Sequence, residues 1–210
     1  PSAAHPLGTD LLGRDVWSRV LYGGRQTLLV AVIAVTIAVI PGLILGLIAG
    51  TAPRWIESVM GMILNALLAF PALLLALMIS TIIGSGSIQI ALAVGIAGMP
   101  PVAQVVRYTA RSVMHHAYID AARSLGGTPF HIVLRHVLPN IMRPVVAFSI
   151  VTLSWTILNA ATLHFLGLGG ESAIPEWGSM LAQGRTTFAI VPYTALAPGV
   201  AIVVTLLAVN

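Results

Sequence analysis

Thr27–Gly50, TLLVAVIAVTIAVIPGLILGLIAG, carries no charged side chain, and this run limits the chain to very few folds. At about 1.5 Å per residue a helix of this length is roughly 35 Å long, enough to cross a hydrocarbon core near 30 Å with some tilt. The rest of the chain is of the same kind. With 58% apolar and only 8% charged residues, and a mean hydropathy of +0.98, the protein cannot cover its surface with charge as a soluble domain of 210 residues does. Lipid is therefore the expected solvent for much of it, and the expected class is an all-α integral membrane protein.

Five spans are predicted, at about 27–50, 58–83, 88–106, 144–166 and 190–210. Residues 1–26 read as an external interfacial segment, with Arg14–Tyr22 forming a separate amphipathic helix. In it Trp17, Val20 and Leu21 share a face and Asp15 pairs with Arg19 at i,i+4. Gly42, Gly46 and Gly50 recur every four residues, a spacing that lets helices approach closely. The second span is interrupted by Asn65 and Pro71. In the third, Pro100-Pro101 removes two backbone donors and is expected to kink the helix. Residues 167–189, rich in glycine and carrying Glu171, Pro175, Glu176 and Trp177, are too polar for lipid and read as an external loop. The chain ends inside an apolar run and is expected to be part of a longer polypeptide.

Between the third and fourth spans lies a polar island at 114–140, centred on Tyr118–Pro139, YIDAARSLGGTPFHIVLRHVLP. Its first half places Tyr118, Ala121, Ala122 and Leu125 on one helical face and stops at Gly126-Gly127, since glycine takes a left-handed C-cap without steric cost. Thr128 then caps a second helix with Pro129 in its first turn. Pro139 is expected to keep that helix from continuing unbroken past Val137-Leu138.

Asp120-Ala121-Ala122, three residues, Gly126, nine residues, then His136-Val137-Leu138-Pro139 resembles the cytoplasmic loop E-A-A-x3-G-x9-I-x-L-P of the permease subunits of binding-protein-dependent ABC importers. Asp120 stands where that family has Glu, and His136 where it has Ile. LGTDLLGRDVWSRVLYGGRQTL (Leu7–Leu28) and FLGLGGESAIPEWGSML (Phe165–Leu181) resemble the oligopeptide, dipeptide and nickel importer permeases. The resemblance implies a five-helix permease core in a bacterial or archaeal inner membrane. It also implies a coupling helix that docks on an ATP-binding subunit, and it assigns that role to Tyr118, Asp120, Ala121, Ala122, Leu125, Gly126, Leu138 and Pro139. The implied partners are a second permease subunit, two ATP-binding subunits that hold ATP and Mg, and an extracytoplasmic solute-binding protein. Cargo of the class would be di- or oligopeptides, with nickel or another small solute as the alternative. The loop residues Glu171, Pro175, Glu176 and Trp177 are expected to form an external gate or docking surface.

The chain itself offers little chemistry. The net charge of +4 comes from ten arginines and no lysine, which lie between the spans and do not suggest nucleic acid. No cysteine is present, so thiol catalysis and iron–sulfur ligation are excluded. His131 and His136, five apart, should diverge by about 140° on an α-helix, so no metal site is expected there. Glycines at 167, 169 and 170 lack the lysine and strand of a phosphate loop, and no cofactor is expected on this chain. His164 reads as a hydrogen-bonded packing histidine near the outer end of its span. A proton- or ion-coupled secondary transporter is the competing class, with broken helices at Pro71 or Pro100 lining a site. Against it stands the lack of an acidic residue within the spans to carry protons. With 114–140 on the cytoplasmic side, six arginines lie inside and four outside, in the sense of the positive-inside rule.

Overall fold

The computed structural model describes residues 5–170 and 174–210. Among them the architecture is helical throughout: α1 (Val16–Thr51), α2 (Arg54–Leu68), α3 (Ala72–Ile83), α4 (Ser87–Met114), α5 (Ala117–Ser124), α6 (Pro129–Ile132), α7 (Leu138–Phe165), α8 (Trp177–Thr186) and α9 (Tyr193–Val209). α6 runs through a π-helical turn, Val133–Val137, into α7, so that Pro129–Phe165 is one apolar rod of 37 residues. α1, α4 and this rod are long and apolar enough to cross a membrane. α2 and α3 meet the test together but bend by 89° at the break between them, and α9 is a shorter apolar helix.

Several boundaries differ from the sequence reading. No separate interfacial helix precedes the first span, because α1 runs unbroken for 36 residues from Val16. Gly23-Gly24, where a break would be cheapest, is held helical by Trp177. A Cβ on Gly24 would lie 2.7 Å from Cζ2 of that indole, and one on Gly23 3.3 Å from its Cδ1. Asp15 does not pair with Arg19. It caps α1, accepting from the Ser18 amide at 2.8 Å and the Ser18 hydroxyl at 2.6 Å, which satisfies amides that no intrahelical acceptor can reach. Arg19 turns instead to Asp10 and to Gln183. The second span is two helices: Asn65 stays helical, and the chain turns at Pro71, which precedes α3. α4 passes through Pro100-Pro101 as one helix. The external loop contains a ten-residue helix, α8.

The glycine stripe is the seam of the fold. Added Cβ atoms on Gly42, Gly46 and Gly50 would come within 2.9 Å of Val102 Cβ, 2.5 Å of Val106 Cβ and 2.7 Å of the Arg107 carbonyl. α1 therefore lies against α4 almost backbone to backbone. Close van der Waals contact of this kind is what associates helices in lipid, where burying apolar surface against a neighbour gains little over burying it in acyl chains.

Apolar side chains gather in three layers along that seam. The middle layer joins Val30, Ala34, Ile90, Val94 and Leu163. A second, at the polar-island end, joins Val102, Val106, Ile119, Ile132, Val137 and Ile141. The third, at the opposite end, joins Val16, Val20, Trp177, Met180 and Ile202.

Candidate functional site

The polar island folds as a helix, a glycine corner and a helix. α5 follows His116, whose extended backbone (φ −79°, ψ 141°) turns the chain away from α4. One residue anchors it: Ile119 is fully buried in the layer formed by Val106, Ile132, Val137 and Ile141. The helix ends at Gly126, whose φ of +84° is the left-handed conformation expected of its position. Gly127 donates its amide to the Ala122 carbonyl at 3.0 Å, and a Cβ there would press to 2.8 Å from that same oxygen. The corner thus fixes the angle between the two helices by backbone geometry alone. Thr128 caps α6 through its hydroxyl, 3.3 Å from the His131 amide, with Pro129 in the first turn.

The anchor leaves an exposed apolar face. Tyr118 is 41% and Leu125 89% exposed, Ala121 and Asp120 are exposed beside them, and Ala122 is half-buried against the same layer as Ile119. Asp120 pairs with Arg123 at 3.1 Å, but both side chains are largely in solvent, where such a pair contributes little. The face extends further than the sequence reading had it, since Phe130 is 74% and Leu134 47% exposed on the following helix. Ile119 was missed as well. Its signal was present: it is the one β-branched aliphatic residue in the first helix, standing between polar neighbours.

Leu138 is half-buried and Pro139 exposed at the start of α7, away from the apolar tip, and Pro139 does not stop the helix. Proline cannot donate to the carbonyl four residues back, and its ring clashes there in an α-helix. The π turn accommodates this by widening the rod, with Leu138 N–H bonded to the Val133 carbonyl five residues back. The same widening overturns the expected divergence of His131 and His136. Their rings stand edge to face with centroids 6.0 Å apart, and Tyr118 lies 6.2 Å from His136 on its other side. An α-helical step would have sent the two imidazoles to different faces; the π turn returns them to one.

At the opposite end, three of the four residues expected to form an external gate are described, and the fourth, Glu171, lies outside the described residues. Glu176 and Trp177 are buried, at 3% and 6% exposure, and Pro175 is half-buried. Glu176 and Trp177 thus point into the bundle and do not stand out on its surface. Glu176 caps α8, accepting from the amides of Gly178 at 3.0 Å and Ser179 at 3.2 Å. Its other oxygen accepts from the Thr27 hydroxyl at 2.9 Å. The Trp177 indole N–H donates to the Val20 carbonyl at 2.8 Å, and a Cβ on Gly178 would lie 2.2 Å from the Ala161 carbonyl. This end is a three-helix clasp of α1, α7 and α8.

Two ionisable groups meet inside the clasp. His164 Nδ1 lies 3.3 Å from Glu176 Oε2, with both side chains 3% exposed. His164 Nε2 has no partner among the described residues, and Gly169 is pressed against the ring. Burial pushes the Glu176 carboxyl up to about 7, against the hydrogen bonds from Ser179, Thr27 and Gly178 that favour its ionised form. Among the described residues, nothing in this arrangement forms a nucleophile, an oxyanion site or a phosphate cradle. The clasp holds helices together, and the polar island exposes an apolar face.

Residues 42–210 match the family described as binding-protein-dependent transport system inner membrane component. The whole chain is similar to the glutathione transport system permease protein GsiD of Pectobacterium atrosepticum, at 40% identity and covering 70% of that protein. It is similar to the same degree to the dipeptide transport system permease protein DppC of Alkalihalophilus pseudofirmus, covering 69% of it. The fold is that of a chain of the inward-facing MetNI methionine ABC transporter, with a TM-score of 0.76 over 91% of both chains at 16% identity. An all-helical bundle with several membrane-length helices, a rigid corner at one end and full-length similarity to such permeases place this chain in the family of binding-protein-dependent transport system inner membrane components, as a multi-pass permease subunit of an ABC importer.

Proposed function

We propose that α5 is the coupling helix of this permease, docking through Tyr118, Ala121 and Leu125 into a groove on an ATP-binding subunit. The observation that carries this is the pairing of a fully buried anchor, Ile119, on a helix of eight residues with an 89% exposed Leu125 at that helix's C-cap. Leucine left this bare in a short polar segment marks an interaction site. The anchor and the glycine corner make the helix rigid, so a push on its outer face moves the ends of α4 and of the Pro129–Phe165 rod as a body. That rod reaches His164 and the clasp at the far end, which connects closure of the ATP-binding subunits to the outer side of the bundle. Packed interfaces of this kind switch between discrete arrangements and do not deform smoothly.

In the assembled importer this chain pairs with a second permease subunit to form the pathway, and two ATP-binding subunits supply ATP hydrolysis. A solute-binding protein delivers the cargo, with the polar island facing the cytoplasm. Small peptides are the cargo that the similarity to glutathione and dipeptide permeases supports. A cysteine at Leu125 is expected to cross-link to an ATP-binding subunit, and to react from the cytoplasmic side only, while one at the exposed Ile190 reacts from outside. Proteoliposomes containing the complex and its binding protein are expected to accumulate labelled dipeptide in an ATP-dependent manner, and nickel uptake without dipeptide uptake would overturn the cargo.

A further inference from the structure

A cleft of about 1080 Å³ opens between the α1–α2 junction and the polar island. Its polar rim carries Arg54, Arg111 and Arg123, and its apolar wall carries Ile44, Ile48 and Phe130. The charges there do not cancel. Glu57 is shared by Arg107 at 3.0 Å and Arg111 at 3.1 Å, and Asp120 is paired with Arg123. With Glu57 and Arg107, which stand beside the cleft and not on its rim, four arginines face two carboxylates, an excess of two positive charges around the cleft. Arg54 is exposed at the start of α2.

The apolar wall continues along α1. Ile40, Ile44 and Ile48, one helical turn apart, are 54%, 53% and 47% exposed, on the side away from the glycine seam that faces α4. They form a ridge that descends the membrane-length helix and ends at the arginines. A ridge for hydrocarbon that terminates in an uncompensated cationic rim is matched by a molecule with the same division: an acyl chain joined to an anionic phosphate. Arginine's planar donors suit phosphate oxygens, and basic pockets between spanning helices at a membrane's cytoplasmic face hold anionic headgroups. A free phosphate would use the rim and leave the ridge bare.

We infer that this cleft binds one anionic phospholipid of the inner leaflet, its phosphate among Arg54, Arg111 and Arg123 and an acyl chain along Ile40, Ile44 and Ile48. The inference rests on the cytoplasmic placement of the polar island. The bound lipid bridges the end of α1 to α5 and thereby sits against the segment that receives the ATP-binding subunit.

The test uses the assembled importer in neutral detergent, titrated with phosphatidylglycerol or phosphatidylcholine and read by native mass spectrometry. Wild type is expected to retain phosphatidylglycerol in preference to phosphatidylcholine. Arg54→Gln is expected to weaken phosphatidylglycerol retention about fivefold, and Arg54→Gln with Arg111→Gln about 25-fold, with phosphatidylcholine unaffected. Arg54 is exposed and, among the described residues, no carboxylate lies at ion-pair distance from it, so the single variant keeps the test sound even where the double one assembles poorly. Equal phosphatidylglycerol retention in wild type and the single variant would overturn the site. Displacement of the lipid by millimolar inorganic phosphate would show an anion site in its place, and retention that appears only after the ATP-binding subunits are stripped away would show a protein interface. Retention is read without transport, nucleotide or sidedness, so its failure leaves the coupling role of α5 standing.

Discussion

The polar island and the clasp at the other end of the bundle look alike in sequence and are opposites in structure. Each is a glycine-bearing polar stretch that folds into short helices, two at the island and one at the clasp, with an acidic residue near a helix start and an aromatic side chain beside it. At the island Tyr118, Leu125 and Phe130 stand out in solvent, while Ile119 goes in beside Ile132 and Val137 of the following helix. At the clasp Trp177, Glu176 and His164 all go in. Polarity in a membrane chain therefore marks groups that need a partner, and says little about whether that partner is water or another helix. Glu176 finds two amides and a hydroxyl inside the protein; Asp120 finds Arg123 and water.

The sharpest break between the two regions is Trp177→Ala. A docking aromatic could be truncated without harm to the fold. A buried one, lying against Gly23 and Gly24 and donating to the Val20 carbonyl, leaves a cavity and removes a hydrogen bond between α8 and α1. The expected cost is about 3–5 kcal/mol, seen as loss of assembled complex and a lowered melting temperature. Unchanged thermal stability with reduced transport would restore the exposed reading.

Next in size is the pH response of the clasp. Glu176 has its folded pKa raised from 4.5 to about 7, so between those values the folded state holds a proton that the unfolded state has released. Stability from this group is fully present below about pH 4.5, declines as pH rises through the window, and is lost above about 7, a span on the order of 3 kcal/mol. The titratable group facing it is His164, from α7; α1 contributes the neutral Thr27. Glu176→Gln is expected to remove this contribution, so that the wild type loses stability relative to the variant between pH 5 and pH 8 in thermal melts, and a difference between the two that does not change with pH would contradict the burial argument.

Much of this was legible beforehand, for reasons that can be traced to particular residues. The island was read correctly in outline because its signals are local: Gly126 needs a left-handed backbone, Thr128 caps, and Pro129 belongs in a first turn. Long uncharged runs likewise announced α1, α4 and α7. Most of the failures are tertiary, and one is a local helix type. Gly23-Gly24 looks like a break until Trp177 is laid across it. Glu176-Trp177 looks like a surface until Thr27, far away in sequence, arrives to accept and donate hydrogen bonds. His131 and His136 looked divergent because the arithmetic assumed an α-helix, and Pro139 imposes a π turn.

Gly126→Val tests the corner with a smaller cost. No atom would lie within 4 Å of an added Cβ at Gly126, so the penalty is conformational, from a β-branched residue held at φ +84°, about 1–2 kcal/mol. The spans should remain inserted and folded while the angle between α5 and α6 relaxes. Substrate-stimulated ATPase activity and transport by the complex are expected to fall sharply. Full activity with both ATP-binding subunits retained would make the island an ordinary connection.

The smallest effect on stability separates docking from packing most directly. Leu125 and Ile119 are both apolar residues of the island, but Leu125 is 89% exposed and Ile119 not at all. Leu125→Ser removes nothing that the isolated permease buries, so its stability should change by less than about 0.5 kcal/mol. Ile119→Ala should cost about 2–5 kcal/mol, because it empties a site enclosed by Val106, Ile132 and Ile141. If α5 docks through its outer face, the ranking inverts when affinity for the ATP-binding subunits is measured. A central apolar anchor is worth about 2 kcal/mol or more at an interface, so Leu125→Ser should weaken that association at least about 30-fold in a permease whose melting curve is unchanged. Co-purification of the ATP-binding subunits at wild-type stoichiometry under dilution would mean that Leu125 faces only solvent, and that the contact lies elsewhere on the island.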